Sequence, residues 1–492
     1  MPAVSLAWWV SLSLTHPTRI EMGSDPMRDA IRDRPATTRR ALLKGGAALA
    51  LSASTYRRVL GANERVGVGF IGFGLIGKRH VLDFTAMPDV APVAVAEVHK
   101  GRLDEAASTM GGSPRTFGDF RRLLDDRDVD AVVVSTPDHW HALMTMMACA
   151  AGKDVYVEKP LSLFVREGRW MVDVARRHNR VVQVGTQQRS GPHYQKAREL
   201  IRSGQIGEVV SVRMWSYRNI MPGFGSPPDG DPPPGFDYDR WLGPAPKRPY
   251  NPNRALYHFR WHWDYSGGQM TNLGQHSLDI VHWFLDITAP KAVASSGGRF
   301  ALRDNGETPD TQDALFEYDG RTAAWSHREA SRGSQPPSGL EFCGTKGSLL
   351  ISRKGFTVTP DPEIQGNAAV RAFGGAHPVG GPDVTGDRNS TKLRTEAIKD
   401  ESGDEYDQFR RHARDFVEAI RSRREPISDV EGAHRVVTAC HLANISLRLG
   451  RKLKWDPKGE TIEGDAEARA MLERPYRAPW DAERRAVLGG SP

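Results

Sequence analysis

The run Val66-Gly67-Val68-Gly69-Phe70-Ile71, followed at once by Gly72-Phe73-Gly74-Leu75-Ile76-Gly77, constrains this chain more than any other feature. A β-prone hexapeptide leads into a G-x-G-x-x-G turn, and a helical stretch is expected from Lys78 to Ala86. In such a turn the first glycine permits a sharp strand-to-helix reversal. The second lets the backbone approach a pyrophosphate, and the third lets helix and strand pack closely. These roles fall to Gly72, Gly74 and Gly77, with Leu75 and Ile76 between them as further candidate cofactor contacts; the N-terminus of the helix that follows offers unpaired N–H groups and a dipole that favour phosphate. Pro92 cannot donate to a central ladder, so the second strand is expected over Val93–Ala96. Glu97 then closes that strand, 25 residues after Gly72. A carboxylate there accepts ribose hydroxyls and repels a 2′-phosphate, so NAD is expected in preference to NADP, although His99, Lys100 and Arg102 lie close by.

The alternation continues. Helices are expected at Leu103–Met110, Phe120–Leu124, Ala142–Ala151 and Val165–Arg177, and strands at Val129–Val134, Asp154–Val157 and Val181–Val184. Strands alternating with helices imply a parallel sheet whose ligand crevice lies beyond the carboxyl ends of its strands. Those ends carry residues 72–77, 135–141, 158–160 and 185–188, which makes Thr136, Pro137, His141, Glu158, Lys159 and Gln187 further candidate cofactor contacts.

The second half reads differently. Glu208–Tyr217 alternates like a strand, and strand-like segments recur at 292–296, 314–318, 322–326, 339–343 and 347–351. Ten prolines lie between Pro222 and Pro252, so that stretch is expected as an ordered loop or flap. Residues 357–403 are polar and read as a long insertion or arm. Two amphipathic helices follow, one burying Phe409, Ala413, Phe416, Val417 and Ile420, the other Ala433, Val436, Val437, Cys440 and Leu447.

GFGLIG, Ser135-Thr136-Pro137-Asp138-His139-Trp140-His141-Ala142, Glu158-Lys159-Pro160 and Asn272-Leu273-Gly274-Gln275-His276, in that order, resemble the glucose–fructose oxidoreductase/inositol dehydrogenase (Gfo/Idh/MocA) family. The resemblance runs from about Val66 to Trp480. It implies an α/β protein with an N-terminal Rossmann domain and a C-terminal α/β domain built on a large, mostly antiparallel open sheet. It also implies NAD(P)-dependent oxidation or reduction of a sugar or cyclitol hydroxyl, and assembly through the open sheet into a dimer or tetramer. The expected organisation is an extension and signal over 1–62, the NAD-binding domain over 63–188, a substrate and oligomerisation domain over 189–455 and a tail over 456–492.

Lys159 stands at the carboxyl end of a parallel strand and can hold or move the proton of a reacting hydroxyl. Carry-over of the Glu-Lys-Pro motif favours that role over a surface pair with Glu158. Dehydrogenases of the family have an acid four residues before the histidine, where this chain has Asn272. Helical geometry through this region sets Asn272 and His276 one turn apart on one face. An amide there is expected to orient the imidazole without the charge that would stabilise its protonated form, leaving His276 a weaker base. Asp279 and His282 lie on or near the same helix. His139, His141, His258, His262 and Asp264 show no metal-ligand spacing, so no metal is expected. Trp241, Trp261 and Trp263 suit either a sugar face or the core, and core is favoured for Trp283.

Composition decides fewer questions. With 39% hydrophobic and 26% charged residues over 492, the chain is neither wholly disordered nor multi-spanning, and its mean hydropathy is −0.50. Three cysteines exclude a disulfide scaffold. Of the net charge of +7, +5 falls on residues 1–62, leaving +2 for the rest, so nucleic acid is not an expected partner. Thr38-Arg39-Arg40-Ala41-Leu42-Leu43-Lys44 and the apolar stretch from Gly45 to Ala53 resemble a twin-arginine export signal. Small residues at 52–54 and 61–62 offer cleavage sites, and Met27 is the more sensible start, with residues 1–26 an upstream extension. The expected protein is an exported, periplasmic NAD-dependent oxidoreductase of a sugar, cyclitol or related polyol. The alternatives are an NAD-dependent glycosidase or lyase with transient oxidation of the sugar, and a non-catalytic sugar-binding protein.

Overall fold

The computed structural model describes residues 65–363 and 392–489. The twin-arginine motif and the centre of the 357–403 segment lie outside them. The first sheet joins β1 (Val66–Ile71), β2 (Val90–Ala96), β3 (Arg115–Phe117), β4 (Ala131–Val134), β5 (Asp154–Val157) and β6 (Val182–Val184) in the order β3-β2-β1-β4-β5-β6. All its pairings are parallel. β1, β4, β5 and β6 are buried along their whole length, as expected of strands covered on both faces. The order reverses between β1 and β4, which places the crevice of a doubly wound sheet at their carboxyl ends.

Two sequence expectations need correcting here. β2 begins at Val90, not Val93, because the ladder tolerates Pro92 at an irregularity: Val68 faces Pro92 but Gly69 faces Ala94. The first helix spans Leu75–Thr85 and so starts inside the glycine turn.

The second sheet has ten strands, ordered β14-β13-β12-β11-β7-β10-β9-β8-β15-β16. They are β7 (Val209–Tyr217), β8 (Ala292–Gly298), β9 (Thr311–Tyr318), β10 (Arg321–Arg328), β11 (Ser338–Gly344), β12 (Gly347–Ser352), β13 (Gly355–Pro360), β14 (Ile398–Asp400), β15 (Leu453–Asp456) and β16 (Thr461–Ile462). Only the β7–β10 pairing is parallel. Period-two burial, clearest in β9 and β10, gives one face packed around Phe316, Trp325 and Phe342 and another exposing Val210, Leu315 and Leu350. The expected arm at 357–403 is corrected at its described ends, which belong to β13 and the edge strand β14, paired through Phe356, Thr357 and Val358.

Late chain segments complete the first sheet's core. The helix Glu405–Ser422 buries Phe416 edge-on to Phe84 and Tyr156, at 6.3 and 5.8 Å. Phe409, expected in that core, is only half-buried, beneath Arg79. The helix Val430–Leu449 divides its apolar residues between the cores: Ala433 and Val437 pack on the first sheet, Val436 and Cys440 on the second. Trp480, near the end of the described chain, meets Trp140 at 4.7 Å and Phe120 at 6.4 Å. The proline-rich segment is ordered around its own small core of Phe236, Tyr238, Trp241, Phe259 and Tyr265. Among the described residues no helix is long and apolar enough to cross a membrane.

Candidate active site

The glycine turn is shaped by close contacts. Gly72 has φ +90°, and a Cβ there would lie 2.9 Å from the Ser135 carbonyl oxygen; a Cβ on Gly77 would lie 2.4 Å from the Gly72 carbonyl oxygen. Gly74, by contrast, faces open space and caps the following helix without a side-chain bond or any acid in the first turn. The cleft in front of it is walled by Gly72, Gly74, Leu75, Ile76, Glu97, Thr136 and Pro137, which the sequence had placed there. Glu97 accepts from the Phe73 N–H (2.8 Å) and the His99 N–H (3.0 Å), so the acid that would meet a ribose also braces the turn.

A dinucleotide fits this cradle. Its backbone opening lies where a pyrophosphate would approach, and its wall carries the buried, unbonded hydroxyls of Ser135 and Thr136. Residues not foreseen as cofactor contacts also line the cleft: Tyr257, Phe259 and Arg260 from the segment that follows the proline-rich stretch, and Trp480 from the C-terminal segment.

Four of the sequence candidates stand behind this surface. Gly77 packs behind the turn. His141 spans two loops, its ring nitrogens 2.8 Å from the Thr136 carbonyl and 2.6 Å from that of Pro160. Glu158 accepts from His80 Nε2 and Gln187 Nε2, both at 2.7 Å, and Gln187 also donates to the Tyr156 hydroxyl. Burial pushes the Glu158 carboxyl upward, but the His80 bond and the charges of His80 and Lys159 outweigh it and hold the group below its usual range. Glu158 and Gln187 therefore form a buried anionic support under the lysine.

Lys159 follows Glu158 at the end of β5. Its Nζ donates to the backbone carbonyl of Asn272 at 2.8 Å and to Asn272 Oδ1 at 2.9 Å. Burial, with the charges of Arg260 and Arg353, lowers its ammonium to about 8 against the opposing pull of Glu158 and Asp138. A lysine so poised exchanges protons near neutrality.

The expected Asn272–His276 pairing is not formed. Residues Met270–Gly274 make a π turn before the α-helix Gln275–Leu285 begins, and Asn272 bonds to Lys159 and Gln269. Widening the turn removes the simple i, i+4 relation on which the expectation rested. His276 is buried with Nδ1 unbonded, and burial, Lys159 and Arg353 all drive its pKa well below the usual value. Its surroundings favour the neutral imidazole. Asp279 and His282 serve packing instead, paired with Arg189 and the Tyr318 hydroxyl.

The other histidines are engaged elsewhere: His139 faces the Trp241 carbonyl and His258 faces Asn253. Among the described residues no cluster of three His, Cys, Asp or Glu side chains is placed to hold a metal ion. Trp241 and Trp261 are buried; Trp263 lies under Arg448, and Trp283 is half-buried between Arg189 and Arg198. Asp138, buried and bonded by the Ser266 hydroxyl, escaped the sequence reading although it directly follows Pro137. Burial raises its pKa.

Comparison with known proteins then decides the family. The model for the oxidoreductase family's NAD-binding Rossmann fold matches residues 66–186, and that for its C-terminal α/β domain matches 196–297 and 397–482. An uncharacterised oxidoreductase of Bacillus subtilis (strain 168) is 30% identical over 290 residues, 58% of this chain and 73% of that protein.

The chain belongs to the Gfo/Idh/MocA oxidoreductase family.

Within it, scyllo-inositol 2-dehydrogenase (NAD+) of the same bacterium is 27% identical over 296 residues, 58% of this chain and 74% of that protein. Levoglucosan dehydrogenase, solved with NADH and levoglucosan, shares the fold with a TM-score of 0.60 at 20% identity, over 80% of this chain and 99% of that one. The first sheet is thus the family's NAD-binding Rossmann domain and the second its C-terminal α/β domain.

Proposed function

We propose that the protein is an NAD-dependent dehydrogenase of a secondary hydroxyl on a sugar, cyclitol or related polyol. The observation that carries this reading is Lys159, its ammonium lowered to about 8 and fixed by two bonds to Asn272, at the carboxyl end of β5 in a sheet whose β1, β2 and β4 ends wall a cleft that fits a dinucleotide. The names of the inositol and levoglucosan relatives supply the substrate class. Bound NAD would supply hydride acceptance and return at the substrate carbon.

The protein's own part is proton handling. In the oxidation direction the neutral amine of Lys159 takes the hydroxyl proton, and in reduction the ammonium returns it. His276, neutral and with an unbonded ring nitrogen, offers a hydrogen bond to the substrate rather than a second charge. Tyr257, Phe259 and Trp480 line the cleft with apolar surface. Glu97 favours NAD over NADP. We further propose export by the twin-arginine route and association through the exposed face of the second sheet into a dimer or tetramer, a face on which Val210, Leu315 and Leu350 stay uncovered.

The test is a panel of sugars and polyols with NAD, read by the absorbance of reduced cofactor and by product analysis. NADH formed in step with a keto product supports the proposal. Turnover without net NADH would move it to transient oxidation followed by elimination, and ligand binding without either would make the protein a sugar-binding member. Light scattering at micromolar concentration tests assembly, where a monomer counts against the open-face proposal.

A further inference from the structure

Behind Lys159 lies a chain of hydrogen bonds that leaves the motifs after Asn272. Lys159 Nζ donates to Asn272 Oδ1 (2.9 Å), Asn272 Nδ2 to Gln269 Oε1 (3.0 Å), and Gln269 Nε2 to Glu329 Oε1 (2.7 Å). Glu329, just past the end of β10, is 1% exposed, and Gln269 is 3% exposed. The carboxylate also accepts from Trp261 Nε1 at 2.9 Å and from Arg218 Nε at 3.0 Å.

The two ends fix the direction of the whole chain. An ammonium only donates, and so do an indole N–H and a guanidinium; an ionised carboxylate only accepts. If the two amides were reversed, Asn272 would turn its NH2 group on the ammonium and Gln269 its oxygen on the carboxylate. Both contacts would repel, so the amide orientations follow from their neighbours.

We infer that Glu329 is a positioning residue for Lys159, acting through Gln269 and Asn272 to hold the asparagine oxygen against the ammonium. Asn272 itself carries no charge. Here the negative charge stands two amides further back, and aligned amide dipoles carry part of its effect forward. The charges that act on Lys159 are those of Glu158, Asp138, Arg260 and Arg353, and Lys159 acts in turn on His276. None of them fixes the Asn272 amide, and Glu329 does so at the far end of the chain. The inference rests on the dehydrogenase reading for its catalytic meaning, though not for its test.

The relay is read from the protonation of Lys159. The pH dependence of acetylation at that residue, followed by mass spectrometry with trace acetic anhydride on the full chain, gives a midpoint that needs no substrate. Glu329→Gln should move the midpoint down by roughly half a unit, since a favourable charge and the amide lock are both lost. Gln269→Leu cuts the chain but leaves Glu329 with Arg218 and Trp261, and should move it the same way. The rise of oxidation rate with pH should shift in parallel, with kcat affected more than cofactor affinity. If Glu329→Gln fails to fold, Gln269→Leu decides alone. A Gln269→Leu midpoint equal to that of the unmodified protein overturns the relay. An unmodified protein that reduces no NAD on any polyol would instead remove the dehydrogenase reading, while the acetylation midpoints still judge the relay.

Discussion

Asn272 lies against Lys159, not His276: the Lys159 ammonium is 2.8 Å from its backbone carbonyl and 2.9 Å from its side-chain oxygen. Asn272 therefore acts on the lysine. Asn272→Asp should raise the Lys159 pKa from about 8, because an adjacent negative charge favours the ammonium. Oxidation needs the neutral amine, so its rise with pH should move to higher pH, by about one unit if the pair gains about 1.4 kcal/mol. A pH–rate series in both directions checks this. A profile that does not move would separate Lys159 from proton transfer.

Lys159→Ala should cut turnover by about two orders of magnitude or more while leaving NAD affinity within a few-fold, since removing a general acid–base group acts on the reacting step. Cofactor titration beside steady-state rates separates the two effects. Equal losses in both would assign the lysine to cofactor binding.

Glu97→Ala should weaken NAD by about tenfold and NADP by much less, because the lost carboxylate is expected to accept from the ribose and repel a 2′-phosphate. Titrating both nucleotides into the apoprotein measures it. Equal affinities for NAD and NADP in the unmodified protein would defeat the assignment of Glu97.

Trp480→Ala should lower unfolding stability by roughly 3–5 kcal/mol, the usual range for a truncated core tryptophan, because Trp480 packs on Phe120 and Trp140. It also lines the cofactor cleft, so NAD affinity should fall with it. Denaturant unfolding and cofactor titration provide the readings. A variant as stable as its parent would detach the C-terminal segment from this core.

Replacing Arg39 and Arg40 with lysine should leave precursor in the cytoplasm, because a translocation machinery that reads the pair would no longer recognise it. Fractionation of expressing cells gives the answer. Export at the parental level would reject the twin-arginine reading.

What the sequence determined by itself was local. The β1 hexapeptide, the glycine turn and the helix Val165–Arg177 follow from hydrophobic pattern and from the contacts glycine alone permits, so their positions were readable within a residue or so. The carboxyl ends of β1, β4, β5 and β6 were readable too, since alternating strands and helices force a parallel sheet with its crevice at those ends.

Tertiary structure alone decided which side chains meet. Pro92 stayed within a strand because its neighbour β1 absorbed it at an irregularity, and residues at both ends of the 357–403 segment joined the sheet because β12 offers an edge to β13 and β13 one to β14. A π turn at Met270–Gly274 redirected Asn272 from His276 to Lys159. Glu329 lies 170 residues from Lys159 in sequence and Trp480 lies 340 from Trp140, and no periodicity links such distances. Pattern records what each residue prefers within a turn or two. Which buried donor finds which buried acceptor depends on how two sheets and the helices between them close on one another, and that is settled only when the whole chain is packed.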